Sequence, residues 1–506
     1  HDANGFPLPG TTWEDRPDHD ALYPDIAVPV EAQGPFTIPA RVAQSLWVDV
    51  TIPRDSASGL YRGVLELSSL NGWRERVPVE LEVHDMALPD QFSGKTMLYM
   101  GYGDINERHL GVRFPDQNSP QAQSSGVIRD NYFKLLRRHR VTVFDGNEGP
   151  EVWGVDRPRD HWRSKLDGSF YSAANGYQGP GEGTPHDFFV VGAYGSWNWQ
   201  GGGTPAMHQR TDAWMSWFDS HAPGTEVLLY LDDEPNLGNS GTVSEIQGWL
   251  DSMASNAGPG GAMQSFLTVE MPAAQSLLSG LDICASWARV GDPAAFDPAF
   301  EHFKTDGRQA FVYNGIRPIV GSFATEDEGV ALRVLAWTQF KKDIDRYFFW
   351  ESTYWYSFQG CAEQGPWRCR TDLFNDAKTF GGSREVSHPE HGQTSWNYSN
   401  GDGVLLFPGT DVLFPEDSYG LDGPLASLRL KHWRRGLQDF EYLKQAEAID
   451  PAAVDAIVQQ IVPRVLWEVG VDDPNDPTYV RTDISWSTDP DVWEWAREQL
   501  VAIIEG

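Results

Sequence analysis

Val227-Leu-Leu-Tyr-Leu-Asp-Asp-Glu-Pro-Asn236 joins an apolar run of strand length to three consecutive acidic residues and a proline. The apolar part can be covered on both faces, as in a parallel sheet. Pro235 cannot donate a ladder hydrogen bond and biases Glu234 toward an extended conformation, so the strand is expected to end there. Active sites of α/β barrels form at the carboxyl ends of the strands. We therefore predict that Asp233 and Glu234 are a catalytic carboxylate pair.

Two other interpretations of this stretch stay open. Acidic residues before a proline also terminate strands or cap helices, and 72 of the 506 residues are acidic, so some clusters arise by chance. Strand geometry raises a second point, because successive side chains alternate and Asp232 would share a face with Glu234 while Asp233 points away. The Asp233–Glu234 pair requires a bulge or the Pro235 turn. Without that irregularity, Asp232 is the better partner for Glu234.

The rest of the chain from about residue 95 alternates between strand-like and helix-like patterns. Helical spacing is clearest at 124–140 and 329–343, whereas the connections around the sixth strand carry little helical signal. Strand patterns occur at 95–104, 141–147, 188–199, 227–231, 264–272, 281–287, 309–315 and 345–355. Eight strands with interleaved helices predict an α/β fold, a (β/α)8 TIM-type barrel. We assign residues 93–506 to a catalytic barrel with a C-terminal helical extension.

The first part of the chain has a different pattern of apolar and polar residues. Short alternating runs at 45–53, 64–70 and 77–89, separated by turn residues, predict an N-terminal β-sandwich over residues 1–92. Two Gly- and Pro-containing segments, 148–186 and 356–400, are expected to be long surface loops.

The charge and the amino-acid composition indicate which classes of molecule the protein can bind. The net charge of -33 argues against nucleic acid and anionic membrane surfaces, because like charges repel. No apolar run is long enough for a membrane span. The 21 tryptophans are a weak indication of sugar binding, since flat aromatic rings match the apolar faces of sugars. A glycan or oligosaccharide is the expected partner, and the oligomeric state is left open.

The three cysteines carry no metal-binding motif. Cys361 and Cys369 enclose a short loop and are predicted to form a disulfide in an oxidising compartment. A calcium ion in the acidic segment 472–491 is conceivable, although a solvated loop is favoured, and we predict no metal and no cofactor. The chain starts at His1 without methionine, which we interpret as a secreted, periplasmic or lipid-anchored bacterial protein.

Several motifs together resemble glycoside hydrolase family 123 and its uncharacterised bacterial relatives. They are DEP at 233–235, YNGIRP at 313–318, ALRVLAWTQFKKDIDRYFFWESTYW at 331–355, and DGVLLFPG at 402–409 followed by GPLASLRLKHWRRGLQDFEYL at 423–443. The resemblance covers most of residues 40–445. It implies a β-sandwich in front of a (β/α)8 barrel, and an exo-acting β-N-acetylgalactosaminidase.

The resemblance also implies roles for the acidic pair. Glu234 would be the general acid/base, and Asp233 would orient the 2-acetamido group whose carbonyl oxygen attacks the anomeric carbon. Glu351 stands where the family usually has no acid. It either makes structural hydrogen bonds or faces Glu234 as a second catalytic carboxylate, which would imply a different polysaccharide. A non-catalytic carbohydrate-binding surface protein is the third alternative.

Other polar and aromatic residues near predicted strand ends are candidates for the sugar pocket, although each can equally be a packing or loop residue. They are Tyr102, Asp104, Asp145, Asn147, Trp197, Trp199, Glu270, Trp287, Asn314, Arg317, Trp350, Tyr354 and Trp355.

Overall fold

The computed structural model describes most of the chain. The described residues are 23–145, 156–196, 202–288, 293–356, 370–375, 378–388, 393–469, 471–473, 476–480 and 484–506, with side chains left out at 378–388, 393–399, 471–473 and 476–480.

Eight parallel strands form one sheet in the described part of the chain. They are β1 (Thr96–Tyr99), β2 (Val143–Phe144), β3 (Phe188–Val191), β4 (Glu226–Asp233), β5 (Gln264–Thr268), β6 (Ile283–Trp287), β7 (Gln309–Tyr313) and β8 (Arg346–Phe349). Their order is β2-β1-β8-β7-β6-β5-β4-β3. Each strand pairs with a strand on either side, except β2 and β3, which lie at the two ends of this order and leave a seam between them. β8 pairs with β1 through Phe348 and Met97. This pairing confirms a nearly closed (β/α)8 barrel.

Helices follow the strands in turn around the outside. They are α1 (Tyr102–Leu110), α2 (Pro120–Arg138), α3 (Asp160–Leu166), α4 (Gly203–His221), α5 (Ser240–Ala254), α6 (Met271–Leu277), α7 (Pro293–His302), α8 (Ala331–Lys341), α9 (Leu428–Glu447), α10 (Pro451–Ile461) and α11 (Pro490–Glu505). The connections on both sides of β6, which have weak helical signals, are the short helices α6 and α7. Sequence signals fix several boundaries: the Ser119 side chain accepts a hydrogen bond from Ala122 N–H at the start of α2.

Strand alternation divides the core into two layers. In β4, Leu228 and Tyr230 belong to the cluster inside the barrel, and the neighbouring Leu229 and Leu231 pack against the helices. Phe144 of β2 and Phe188 of β3 belong to the inner cluster and bring their ring centroids within 6.3 Å across the seam. Apolar side chains therefore cover both faces of the sheet, as the apolar strand runs predict.

A buried arginine ties the amino-terminal ends of the strands together. Arg346 of β8 is fully buried, and its Nη1 donates to the carbonyl oxygen of Thr96 at 3.0 Å. Its Nη2 pairs with Glu226 at 2.9 Å and with Asp187 at 3.1 Å. The guanidinium also lies 4.2 Å from the Phe188 ring centroid. The arginine thus connects β8, β1, β3 and β4 at the end of the barrel opposite the acidic stretch.

The most distinctive segment of the resemblance, 423–443, has a structural role. It forms helix α9 against α8, where a Cβ at Gly436 would lie 2.9 Å from the backbone of Arg333. Asp439 is buried and accepts hydrogen bonds from Arg333 and Arg497. Against the effect of burial, Arg497 and Arg333 lower the pKa of Asp439 to about 2. This segment holds the helical layer together and lies outside the acidic mouth.

The β-sandwich predicted for residues 1–92 is not confirmed. In residues 23–92 the regular strands are one antiparallel hairpin, Gly59–Ser68 with Arg74–Val83, and the short strand Ile26–Ala27. The run 45–53 forms no strand, and its apolar side chains are exposed. Trp47 contacts His432 of α9, and Asp49 pairs with Lys431. No second sheet covers the hairpin within these described residues.

The two segments predicted to be surface loops are partly structured. The described portion of 148–186 contains α3, and Trp162 and Tyr177 are buried, so the surface-loop prediction was wrong there. Within 356–400, Lys378–His388 and Gln393–Asn400 pair as a hairpin. Further along, Leu406–Pro408 pairs with Pro424–Ser427, which also pairs with Ile26–Ala27.

Replacing Arg346 with leucine should destabilise the barrel strongly. The change leaves Glu226 and Asp187 without their cation in a largely buried place, at a cost of about 3–5 kcal/mol. The matched control is Arg62→Leu, which breaks the exposed ion pair with Glu80 on the hairpin and should cost under about 1 kcal/mol. Denaturant unfolding curves measure both variants. Equal, small shifts in the two midpoints would contradict the role assigned to Arg346.

Candidate active site

A β-bulge lies at the carboxyl end of β4. Tyr230 pairs with Phe266 of β5, but Asp232 pairs with the next residue, Leu267, so that Leu231 is an extra residue in the ladder. Asp233 then lies beside Thr268. Regular alternation would turn Asp232 into the barrel after Tyr230, and the extra residue turns Asp233 inward instead. The irregularity required by the Asp233–Glu234 assignment is therefore present.

Two hydroxyl groups hold the side chain of Asp233. Its Oδ1 accepts hydrogen bonds from the Tyr230 hydroxyl at 2.6 Å and from Thr268 Oγ1 at 2.8 Å. Burial, followed by the charge of Asp233, raises the pKa of Tyr230, so that this phenol remains a donor. Within the described residues Oδ2 accepts no hydrogen bond, and the side chain is exposed to solvent. Asp233 is thus fixed through one oxygen and open at the other.

Glu234 is held from two sides. Its N–H donates to Thr268 Oγ1 at 2.8 Å, and its Oε1 accepts from the Tyr313 hydroxyl at 2.6 Å. Its φ of 46° lies in the left-handed region, which is unfavourable for a residue other than glycine, so the extended conformation expected before Pro235 was wrong. Thr268 therefore holds the side chain of Asp233 and the backbone of Glu234 with one hydroxyl group.

Asp232 takes a different direction from the pair. Its Oδ1 accepts the N–H of Asp233 at 2.9 Å, and it lies next to Gly195 in the loop after β3. Partial burial raises its pKa. The alternative pairing of Asp232 with Glu234 depends on regular alternation, which the bulge removes.

Tyrosine rings form the floor beneath the pair. Tyr194 packs against Tyr230 at 5.4 Å and Tyr99 at 5.1 Å between ring centroids, and its hydroxyl donates to the carbonyl oxygen of Trp350. Burial, followed by the charges of Glu351 and then of Asp233 and Glu234, raises the pKa of Tyr194. Its ring lies between the β4 side and the β8 side of the mouth.

Sequence reasoning missed Tyr194, which packs beneath the pair, and the three residues that hold it: Tyr230, Thr268 and Tyr313. The last two close their strands, so the strand-end rule that selected other candidates could have found them. Tyr194 follows Gly192 in a turn whose geometry the sequence does not reveal.

Glu351 is turned into the wall of the barrel. It is 6% exposed, and its Oε1 accepts hydrogen bonds from the N–H groups of Ser352 and Thr353, at 2.8 and 2.7 Å, and from the Thr353 hydroxyl. Burial, followed by the charge of Asp104, raises its pKa well above the usual range. These contacts favour the structural interpretation of Glu351, with Tyr194 between it and the β4 side of the mouth.

Several of the predicted pocket residues line the rim near β7 and β8. Asn314 Oδ1 accepts the N–H of Trp350 at 3.2 Å, which links the ends of the two strands. Trp350 donates its indole N–H to Asp402 and packs against Tyr354. Trp287, at the end of β6, packs against the barrel interior and is partly exposed. Asn314, Trp350 and Trp287 are partly exposed and remain candidates for sugar contacts, whereas Tyr354 is buried.

Other predicted pocket residues are used in the protein itself. Trp355 is 1% exposed and donates its indole N–H to Leu406, so it cannot stack on a ligand. Arg317 is buried and pairs with Asp327 at 2.9 Å. Tyr102 lies in α1 under the Arg129 guanidinium, at 4.7 Å. The burial of Trp355 and Arg317 argues against a direct sugar contact for these two residues, because strand ends also carry the side chains that fasten the surrounding loops. Tyr102 is partly exposed, and its sugar contact stays a prediction.

The remaining candidates have various surroundings. Asp104 is buried and pairs with Arg113. Asp145 is buried near Tyr99, and burial together with the nearby carboxylates raises the pKa of Tyr99. Glu270 begins α6. The candidates Asn147, Trp197, Trp199, Cys361 and Cys369 lie outside the described residues, and the third cysteine, Cys284, is a buried free thiol.

Neither a metal centre nor a membrane span was found in the part of the chain that the structure describes. No group of three or more histidine, cysteine or acidic side chains there is arranged to hold an ion. No described helix combines the length and the apolar character that crossing a bilayer requires. The side chains of most of the acidic segment 472–491 are not described, and the calcium alternative is untested.

Comparisons with known proteins give a likeness of fold. No family model and no curated protein matches the chain. A family 123 glycoside hydrolase from Clostridium perfringens aligns over 90% of this chain and 77% of its own, with a TM-score of 0.51 and 12% identity. Sph3 of Aspergillus clavatus, solved with GalNAc, aligns over 57% of this chain and 96% of its own at a TM-score of 0.24 and 12% identity. The chain shares a glycoside hydrolase-like fold with the Clostridium enzyme.

Because the backbone at Glu234 is left-handed, replacing this residue with glycine should affect the free energy of unfolding less than replacing it with alanine. Glu234→Gly should be more stable than Glu234→Ala by about 1 kcal/mol, because only glycine adopts a positive φ without a steric cost. Denaturant unfolding of the two variants, with the same pair of changes at the exposed helical residue Glu245 as the control, measures the difference. At Glu245 alanine should be the more stable by a similar amount. The same order at both positions would contradict the strained conformation.

Glu351→Gln should change the pH dependence of stability. A carboxyl with a raised pKa in the folded state stabilises the fold below its unfolded pKa, and this contribution is lost as pH rises toward the folded pKa. Glutamine can accept the same three hydrogen bonds without a charge. The variant should therefore gain stability relative to wild type as the pH rises from about 5 to about 8. Thermal melts across this range test it, and parallel curves for the two proteins would contradict the buried, protonated state.

Proposed function

We propose that the protein is a glycoside hydrolase that releases terminal β-linked N-acetylgalactosamine by retaining catalysis with help from the substrate's own acetamido group. The observation that carries the proposal is the bulge in β4, which brings Asp233 beside Glu234 at the solvent-exposed end of the barrel. A shared fold alone would not support an activity, since one fold hosts many functions.

In the first step Glu234 acts as the acid. The acetamido carbonyl oxygen attacks the anomeric carbon, and the bond from that carbon to the glycosidic oxygen breaks with its electron pair. The glycosidic oxygen takes the proton of Glu234 and leaves as an alcohol. The sugar is left as a bicyclic oxazolinium ion, with positive charge shared by the amide nitrogen.

Asp233 provides the charge that this intermediate needs. Its Oδ2 can accept the amide N–H and stabilise the developing positive charge, while Tyr230 and Thr268 hold Oδ1. Because both donors are fixed by the strands, the carboxylate needs no reorganisation during the reaction.

In the second step Glu234 acts as the base. A water molecule gives a proton to Glu234 and attacks the anomeric carbon from the side that the alcohol left. The bond to the acetamido oxygen breaks, and its electrons restore the amide. Two inversions give overall retention, and Glu234 regains its acid form.

The sugar and the location belong to the same proposal. N-acetylgalactosamine follows from the resemblance of the sequence motifs, and the similar Clostridium enzyme is described as hydrolysing the glycan of a glycolipid. We propose a secreted, periplasmic or lipid-anchored location, where the enzyme would have access to such glycans.

Substitution of the two carboxylates should separate their roles. On an aryl β-N-acetylgalactosaminide, Asp233→Asn should lose activity by about 10²–10³-fold, because the amide removes the charge that stabilises the oxazolinium ion. Glu234→Gln should lose about 10²–10⁴-fold. Glu351→Gln should remain within a few-fold of wild type, since its carboxyl faces the wall. Initial rates measured at equal concentrations of folded protein give the three ratios.

Substrates that differ in the sugar distinguish acetamido-assisted catalysis from the mechanism with two separated carboxylates and from a protein that only binds carbohydrate. Wild type should be inactive on the matched β-galactoside, which has a hydroxyl in place of the acetamido group. Turnover of that galactoside together with loss of activity in Glu351→Gln would favour the mechanism with two separated carboxylates. Failure to cleave any glycan, with binding retained, would favour a carbohydrate-binding protein.

A further inference from the structure

Tyr313 combines a fixed ring with a single polar contact. It is the last residue of β7, is 6% exposed, and packs in the barrel interior with its ring centroid 5.9 Å from that of Phe348. Its hydroxyl donates to Glu234 Oε1 at 2.6 Å. The strand and the packed ring hold this donor in place, so that it determines where one oxygen of Glu234 lies.

The hydroxyl stays a donor through the working pH range. Burial, followed by the charge of Glu234, raises the pKa of Tyr313. A carboxylic acid has one oxygen that carries the proton and one carbonyl oxygen that accepts. Because Oε1 always receives the phenol proton, it serves as the accepting oxygen, and the acid proton belongs on Oε2.

We propose that Tyr313 is the positioning residue of the general acid: its hydrogen bond to Oε1 keeps the transferable proton of Glu234 on Oε2, directed at the glycosidic oxygen. This inference rests on the proposed function. Tyr313 itself does not exchange a proton with the substrate, and its effect passes through Glu234.

The other half of the site provides a matched comparison. Tyr230 donates to Asp233 as Tyr313 donates to Glu234, at the same distance of 2.6 Å. Asp233 stabilises the oxazolinium ion, which forms whatever alcohol leaves. Glu234 protonates the leaving oxygen, which matters greatly for a basic alkoxide and little for a nitrophenolate. The two tyrosines should therefore differ in how their loss depends on the leaving group.

The experiment compares 4-nitrophenyl and methyl β-N-acetylgalactosaminides with wild type, Tyr313→Phe, Tyr230→Phe and Tyr132→Phe. Tyr132 is a buried tyrosine whose hydroxyl bonds His109 among the outer helices, so Tyr132→Phe controls for the loss of a buried hydroxyl. For Tyr313→Phe we expect kcat on the methyl glycoside to fall about 10- to 100-fold and on the nitrophenyl glycoside by under about three-fold, with KM unchanged.

The controls give the contrasting pattern. Tyr230→Phe should lower both rates by the same factor, and Tyr132→Phe should lower neither. Equal losses on the two substrates for Tyr313→Phe, or no loss on either, would overturn the positioning role while leaving the proposed function intact. If wild type cleaves neither acetamido sugar, the proposed function itself fails and the inference fails with it. Thermal melts of each variant confirm that it is folded before rates are compared.

Discussion

The extra residue in β4 governs the chemistry of the mouth. Leu231 packs against the outer helices with Leu229, while Tyr230 stays in the inner cluster, so the bulge is fixed by burial on both faces of the sheet. Beyond it the inward position falls on Asp233. Thr268 on the adjacent strand then joins Asp233 and Glu234 through one hydroxyl. A polar pair of consecutive residues can thus face one sugar, although a regular strand would separate them.

The two ends of the barrel divide stability from function. At the amino-terminal end the fully buried Arg346 pairs with the partly buried Glu226 and Asp187, and aromatic rings fill the interior between the two ends. At the carboxyl end Asp233 and Glu234 are exposed and Glu234 has an unfavourable backbone conformation. Such strain persists only where the surrounding structure enforces it. The tyrosine and threonine hydroxyls provide that enforcement, at the place where carboxylates must meet a ligand.

Sequence patterns predicted the barrel well, because each strand is a short apolar run and several of the connections between runs, such as 124–140 and 329–343, have helical periodicity. They could not decide between Asp232 and Asp233, since Tyr230-Leu-Asp-Asp-Glu234 reads the same with or without a bulge. Position at a strand end also could not separate Trp355, which is buried in the outer layer of the core, from the partly exposed Trp350. The sandwich is not confirmed for a related reason: alternation at 45–53 predicts a strand, yet a strand needs a partner, and residues 23–92 supply none for this run.

Binding of a GalNAc-thiazoline, a stable mimic of the oxazolinium ion, shows whether Asp233 stabilises the charge of that ion. Calorimetric titration at neutral pH should give an affinity for wild type at least about 100-fold above that for free N-acetylgalactosamine, as expected of a transition-state mimic. The gain should disappear in Asp233→Asn and persist in Asp232→Asn. Equal affinity for the two ligands, or a gain that survives Asp233→Asn, would mean that Asp233 does not stabilise the oxazolinium ion.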